Sequence, residues 1–152
     1  MRVELGLFSP VGALGLVYSR PIHQRVAVEL GAGFGFSGLQ LSAMAKLRRG
    51  KGRTKFTPGI GLSVGMPVFG SAIHTGHPAG DDEMRGSDVI SAWLDVDLLG
   101  VEHRTRSGLV LSASGGVTVA LTEGHWDAAD LGNDINPFDV LPQFRLGIGK
   151  AF

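Results

Sequence analysis

Apolar residues recur at every second position along most of this chain, in eight separate stretches. A period of two puts them on one face of an extended strand. Arg2–Phe8 aligns Val3, Leu5 and Leu7, and Gly12–Arg20 aligns Leu14, Leu16 and Tyr18. Gln24–Phe36 aligns Val26, Val28, Leu30, Ala32, Phe34 and Phe36, and Gly38–Arg48 aligns Leu39, Leu41, Ala43, Ala45 and Leu47. Thr54–Met66 aligns Phe56, Ile60, Leu62, Val64 and Met66. Asp88–Glu102 aligns Ile90, Ala92, Leu94, Val96 and Leu98, and Gly108–Leu121 aligns Leu109, Leu111, Ala113, Val117, Val119 and Leu121. The closing stretch, Asp139–Phe152, aligns Val140, Phe144, Leu146, Ile148 and Phe152. The first two stretches are short, and a bulge at Ser9-Pro10 would merge them into one strand, giving seven instead of eight.

The alternate positions in these stretches are small or polar. They include Gly31, Gly33 and Gly35 in the third, Gly59, Gly61 and Gly65 in the fifth, and Ser112, Ser114 and Gly116 in the seventh. The chain has 24 glycines in 152 residues, against an average usage of about 7%. Glycine weakens an ordinary strand, so its concentration on one face calls for a place where side-chain room is short. A narrow barrel interior is such a place. A water-soluble barrel would show the reverse, bulky apolar residues inside and charge outside. The pattern therefore predicts an all-β fold: a single domain over residues 1–152, an eight-stranded antiparallel up-and-down transmembrane β-barrel. Most stretches are about 9–14 residues long, enough for a tilted strand to cross a bilayer core.

The connections are of two kinds. Arg20–His23, Arg49–Arg53 and His103–Ser107 form one set, all short; Ser9–Val11 and Ser37 form the other set together with two long loops, Pro67–Ser87 and Thr122–Phe138. In an up-and-down barrel the two long loops fall at one end and the short turns at the other. Formal charge is zero, with 14 basic and 14 acidic residues, which disfavours a nucleic-acid partner. That balance hides a polarity. Arg20, Arg25, Arg48, Arg49, Lys51, Arg53, Arg104 and Arg106 lie at or beside the short turns, while Asp81, Asp82, Glu83, Asp88, Glu123, Asp127, Asp130, Asp134 and Asp139 lie in or beside the long loops.

The same parity assigns charges to the interior: Arg2, Arg25, Lys46, Arg48, Lys55 and Arg145 with Glu4, Glu29, Asp95 and Asp97. Buried charges must pair or they destabilise the fold by several kcal/mol. An internal salt-bridge network is expected, with Glu4 meeting Arg145 where the last strand closes on the first.

At this point the chain resembles the small bacterial outer-membrane β-barrel proteins, of the eight-stranded class. The residues that carry the resemblance are GALGLVYSR (Gly12–Arg20), RVAVELGAGFGF (Arg25–Phe36), FTPGIGLSVG (Phe56–Gly65) and FRLGIGKAF (Phe144–Phe152). The resemblance implies insertion in the outer membrane of a Gram-negative bacterium, with short periplasmic turns and two long extracellular loops. It also implies that Phe144, Leu146, Ile148 and Phe152 act as the carboxy-terminal signal read by the outer-membrane assembly machinery. Lipid and lipopolysaccharide are the implied surroundings; the charge pattern leaves the acidic loops as solvated loops, as partners of lipopolysaccharide phosphates through divalent cations, or as a repulsive mouth for anions. No activity is implied, because the family holds adhesins, structural barrels and lipid-modifying enzymes. Lys150 departs from the pattern on the lipid face, near an edge where a long stem can snorkel.

Motifs for chemistry are sparse. There is no cysteine, so thiolate catalysis and disulfides are excluded. His74 and His77 precede Asp81, Asp82 and Glu83, but no four-ligand zinc spacing follows, and neither a metal nor a cofactor is expected. Ser71 with His74, or His125 with Glu123, supply parts of a hydrolase triad without a G-x-S-x-G elbow. Asp95 and Asp97 share a face, and pairing to cations is the expected role for both. Trp93 falls on the lumen face near the outer end and Trp126 in the second long loop; with Phe34, Phe36, Phe69 and Phe138 near the same level they predict an aromatic girdle or, alternatively, a small binding mouth. Val26–Ala45 is long enough for a membrane helix, but it alternates and carries Glu29 and four glycines, so a helix is rejected. No secretory leader is expected, because Met1-Arg2 is followed by Val3-Glu4-Leu5-Gly6 and no uninterrupted apolar run of the usual length follows. The expected function is a monomeric outer-membrane barrel with a plugged, charge-paired lumen and a structural, surface-interaction or narrow-transport role, not an enzyme. A lipid A-modifying enzyme and a soluble lipocalin-like binding barrel are the alternatives.

Overall fold

The computed structural model describes residues 1–7, 9–35, 38–66, 90–122, 124–125, 134–135 and 137–151. Among the described residues eleven strands form: β1 Arg2–Leu7, β2 Leu14–His23, β3 Val26–Gly35, β4 Gly38–Leu47, β5 Thr54–Phe56, β6 Gly59–Met66, β7 Ser91–Arg104, β8 Leu109–Ala120, β9 Gly124–His125, β10 Asp134–Ile135 and β11 Val140–Lys150. Successive antiparallel pairs run β1–β2–β3–β4–β6–β7–β8–β11, and β11 pairs back with β1 from Leu7↔Phe144 to Arg2↔Gly149. The sheet is thus closed, with eight staves. β5 continues the line of β6 along β7, and β9 pairs only with β10. The first two stretches are separate strands, paired from Leu5↔Leu14 to Arg2↔Val17. No helix occurs among the described residues.

Two of the prolines, Pro58 and Pro21, lie where the ladder is irregular. Pro58 has no N–H to donate, and the stave breaks between β5 and β6 at Thr57-Pro58. Opposite that break β7 carries a bulge: Asp97 pairs with Gly116, Leu99 pairs with Gly115, and Leu98 is the extra residue. An extra residue shifts the side-chain phase by one. Leu98 and Leu99 accordingly both face outward, 57% and 69% exposed, while Gly100 and Glu102 turn inward. A second irregularity lies in β2 at Pro21/His23.

The burial pattern inverts that of a soluble protein. Among the described residues 16 polar or charged side chains are buried, including Arg2, Glu4, Glu29, Lys46, Asp95, Asp97 and Arg145, against 7 apolar ones. The large apolar residues face out on every stave: Val3, Leu5, Leu16, Leu30, Leu41, Ile60, Leu62, Val101, Leu111, Leu146 and Ile148 are all exposed. The turns at 24–25, 48–53 and 105–108 share one end of the barrel with Met1 and Ala151, hereafter the hairpin end. Among the described residues, 9–13, 90, 121–122 and 137–139 lie at the opposite end. Most of the two long loops, residues 67–89, 123, 126–133 and 136, lies outside the described residues, as does Phe152.

Candidate functional site

Register explains why the interior can hold so many long charged side chains. Directly opposite residues of an antiparallel pair share a face and stand close together. Arg2 lies across from Gly149, Glu4 from both Gly147 and Gly15, and Arg145 from Gly6. Lys46 lies across from Gly59, which also faces Asp97; Asp97 faces Gly116 on its other side, and Asp95 faces Gly61. Each of these charges therefore has a neighbour without a side chain. Gly147 shows how tight the fit is. A Cβ there would stand 2.5 Å from Ser112 Oγ, 3.2 Å from Glu4 Cγ and 3.3 Å from Arg2 Cδ.

The charges close into a ring. Arg2 donates from Nε to Glu4 Oε1 and from Nη2 to Glu29 Oε2, both at 2.6 Å. Lys46 Nζ pairs with Glu29 Oε2 at 3.1 Å and with Asp97 Oδ2 at 3.3 Å. Arg145 completes the circuit, pairing through Nη2 with Asp97 and through Nη1 with Glu4 Oε2 at 3.4 Å. Three cations alternate with three anions, so the ring is neutral. Hydrogen bonds lock it to the wall: Arg145 Nε donates to Ser114 Oγ at 3.0 Å and Gln143 Nε2 to Asp97 Oδ1 at 3.0 Å. Burial of single ions costs several kcal/mol each, and multiple well-formed pairs offset it.

Glu102 extends the network toward the hairpin end. It accepts Arg48 Nη2 at 2.7 Å and Arg104 Nε at 2.9 Å, with Arg2 Nη1 at 3.8 Å. A cavity of about 220 Å³ at that end is lined by Arg2, Val17, Ser19, Glu102, Arg104 and Val110, among others. Asp95 stands apart from the ring. It is 1% exposed and is held by hydroxyls, Ser63 Oγ donating at 2.7 Å and Thr118 Oγ1 to its other oxygen.

Above the ring, toward the other end, the chain plugs itself. Ser9, Pro10 and Val11 were expected in an outer connection, yet all three are buried. The segment turns inward on hydrogen bonds from Ser9 Oγ to Gly12 O at 2.6 Å and from Gly12 N to Ser9 O at 2.9 Å. Gly12 takes a φ of 78°, a region costly for other residues. Ala13 N then donates to Phe34 O at 2.8 Å, tying the plug to β3. Val11 comes to rest over Gly15, Gly31 and Gly33, where no side chain opposes it.

The structure redistributes several sequence assignments. Glu4 and Arg145 meet as the closing pair, and Arg2, Glu29, Lys46, Arg48 and Asp97 join them. Arg25 does not: it is exposed in the turn between β2 and β3, because that strand ends before its parity can carry it inside. Lys55 sits across from Glu102 and is half-buried, with no ion pair formed among the described residues. Glu102 was missed, because the β7 bulge reverses the alternation past Leu98. The doublet Leu98-Leu99 followed by Gly100 is the sequence signal that could have found it. Trp93 is buried and packs against Ala120 and Leu141, so it is not part of a girdle. Phe34 and Phe138 are exposed; Phe36, Phe69 and Trp126 lie outside the described residues, as do Ser71, His74, His77, Asp81, Asp82, Glu83 and Glu123. Phe144, Leu146 and Ile148 all face outward on β11.

These features define a closed eight-stranded barrel with an ionic, self-plugged interior and an apolar exterior. Comparisons with protein-family models, curated proteins and solved structures find no match.

Proposed function

We propose that the chain is an integral β-barrel of a bacterial outer membrane, closed to solutes and serving a structural or surface-interaction role. The observation that carries this reading is the exterior. Exposed leucine, isoleucine, valine and phenylalanine side chains continue around the staves, including β1, β2, β3, β4, β6, β7, β8 and β11. An apolar band of that kind is far larger than the patches a soluble monomer exposes, and hydrocarbon is the solvent that suits it. Staves of 10 residues in β2, β3 and β4 and 11 in β11 match the length of a membrane-crossing strand. Closure of the sheet also leaves no unpaired edge in contact with lipid. A lipocalin-like barrel would need an apolar interior to hold its ligand, and the buried residues here are mostly polar.

Two measurements test the reading. In detergent micelles the folded chain is expected to migrate differently from the boiled chain on a gel. A soluble monomer in plain buffer that refuses to refold in detergent or lipid would sink the membrane assignment. In planar bilayers the inserted chain is expected to give no steady single-channel current, because the ring and Val11 fill the lumen, as the narrow bore of eight strands allows. Ohmic openings would favour narrow transport instead.

A further inference from the structure

The hairpin end carries a collar of cations that the lumen network does not use. Arg20 near the end of β2, Arg25 in the next turn, Arg49, Lys51 and Arg53 between β4 and β5, and Arg106 between β7 and β8 are all exposed. Among the described residues the sole acidic side chain at this end is Glu102, which is buried and committed to Arg2, Arg48 and Arg104. The collar therefore lacks an anionic counterpart within the described chain.

Its arrangement says what the counterpart is. The cations are not gathered on one side, as a binding site for a linear polymer or one acidic protein face would require. They are spread around the circumference, on three hairpins that together span β2 to β8. They also lie next to exposed apolar side chains, Ile22 in β2, Phe56 in β5 and Leu109 in β8. A cation ring immediately beside an apolar band fits a sheet of anionic headgroups whose acyl chains cover the band. We infer that this collar binds the headgroups of anionic phospholipids in the leaflet at the hairpin end. The inference rests on the membrane reading above.

The test uses the full chain reconstituted in phosphatidylcholine vesicles containing trace spin-labelled phosphatidylglycerol or spin-labelled phosphatidylcholine. The wild type is expected to retain the phosphatidylglycerol label about fivefold more strongly, the ratio that one cation–headgroup contact supplies, and to lose that preference in high salt. The variant R20Q/R25Q/R49Q/K51Q/R53Q/R106Q alters exposed collar residues only and should insert normally with the preference abolished. Equal retention of the two labels by an inserted wild type, or an undiminished preference in the variant, overturns the inference alone. If both labels are retained equally while soluble polyglutamate binds in a salt-sensitive way, the collar serves an acidic polymer and the lipid assignment fails. Failure to insert into either vesicle overturns the membrane reading, and this inference with it.

Discussion

Replacing Arg145 with methionine is expected to cost the folded barrel about 3–5 kcal/mol, the loss typical when one partner of a buried ion pair is removed. Arg145 is 3% exposed and bridges Glu4 and Asp97 while donating to Ser114. Without it the ring holds three carboxylates against two cations, and the excess charge has no water to stabilise it. Glu4→Gln in the same chain restores the balance of two and two, so the double variant should lose less than the sum of the two single losses. Urea unfolding in lipid vesicles, followed by tryptophan fluorescence, reads both quantities. A loss below about 1 kcal/mol for Arg145→Met, in the range of exposed pairs, would show that the ring does not hold the barrel together. Strict additivity would show that Glu4 and Arg145 are not coupled.

The second large effect is expected at Gly33. A Cβ there would stand 2.6 Å from the Cα of Gly15 and would also run into the carbonyl oxygens of Val11 and Leu14. All three obstacles are backbone, so no side-chain rotation relieves them. Gly33→Leu should therefore displace the plug or open the β2–β3 pairing, with a loss of about 3 kcal/mol, at the upper end of ordinary overpacking. Ala32→Leu is the control. Ala32 points outward and is exposed, so a larger apolar side chain there should change stability by no more than about 0.5 kcal/mol. Equal tolerance of the two substitutions would mean that Val11 does not pack where the structure places it.

Much of this was legible in the sequence because side-chain direction in a strand is a local property. The alternation in Gln24–Phe36 and Gly38–Arg48 was enough to put Glu29 and Lys46 on the same side of the sheet as Gly31 and Ser42. It was not enough to show that Lys46 touches both Glu29 and Asp97, because partners are set by register across strands. The alternation also fails wherever the chain inserts a residue. Past Leu98 it pointed Glu102 outward, and only the bulge, matched to the break at Pro58, explains its place inside. Arg25 failed for a related reason, since a strand's parity has no meaning beyond the strand's end. Ser9–Val11 has a turn-like sequence, and nothing local indicates that it folds inward.

By itself, the sequence determined the polar interior, the apolar exterior and the basic hairpin end. These follow from a period of two and from where charges fall along the chain, which neighbouring residues settle among themselves. The tertiary structure alone decided the six-member ionic ring, the recruitment of Glu102 and the plug made by Pro10 and Val11. Those depend on strands far apart in the chain meeting in one register. The glycines opposite Arg2, Glu4, Lys46, Asp97 and Arg145 become meaningful only once that register brings each pair together.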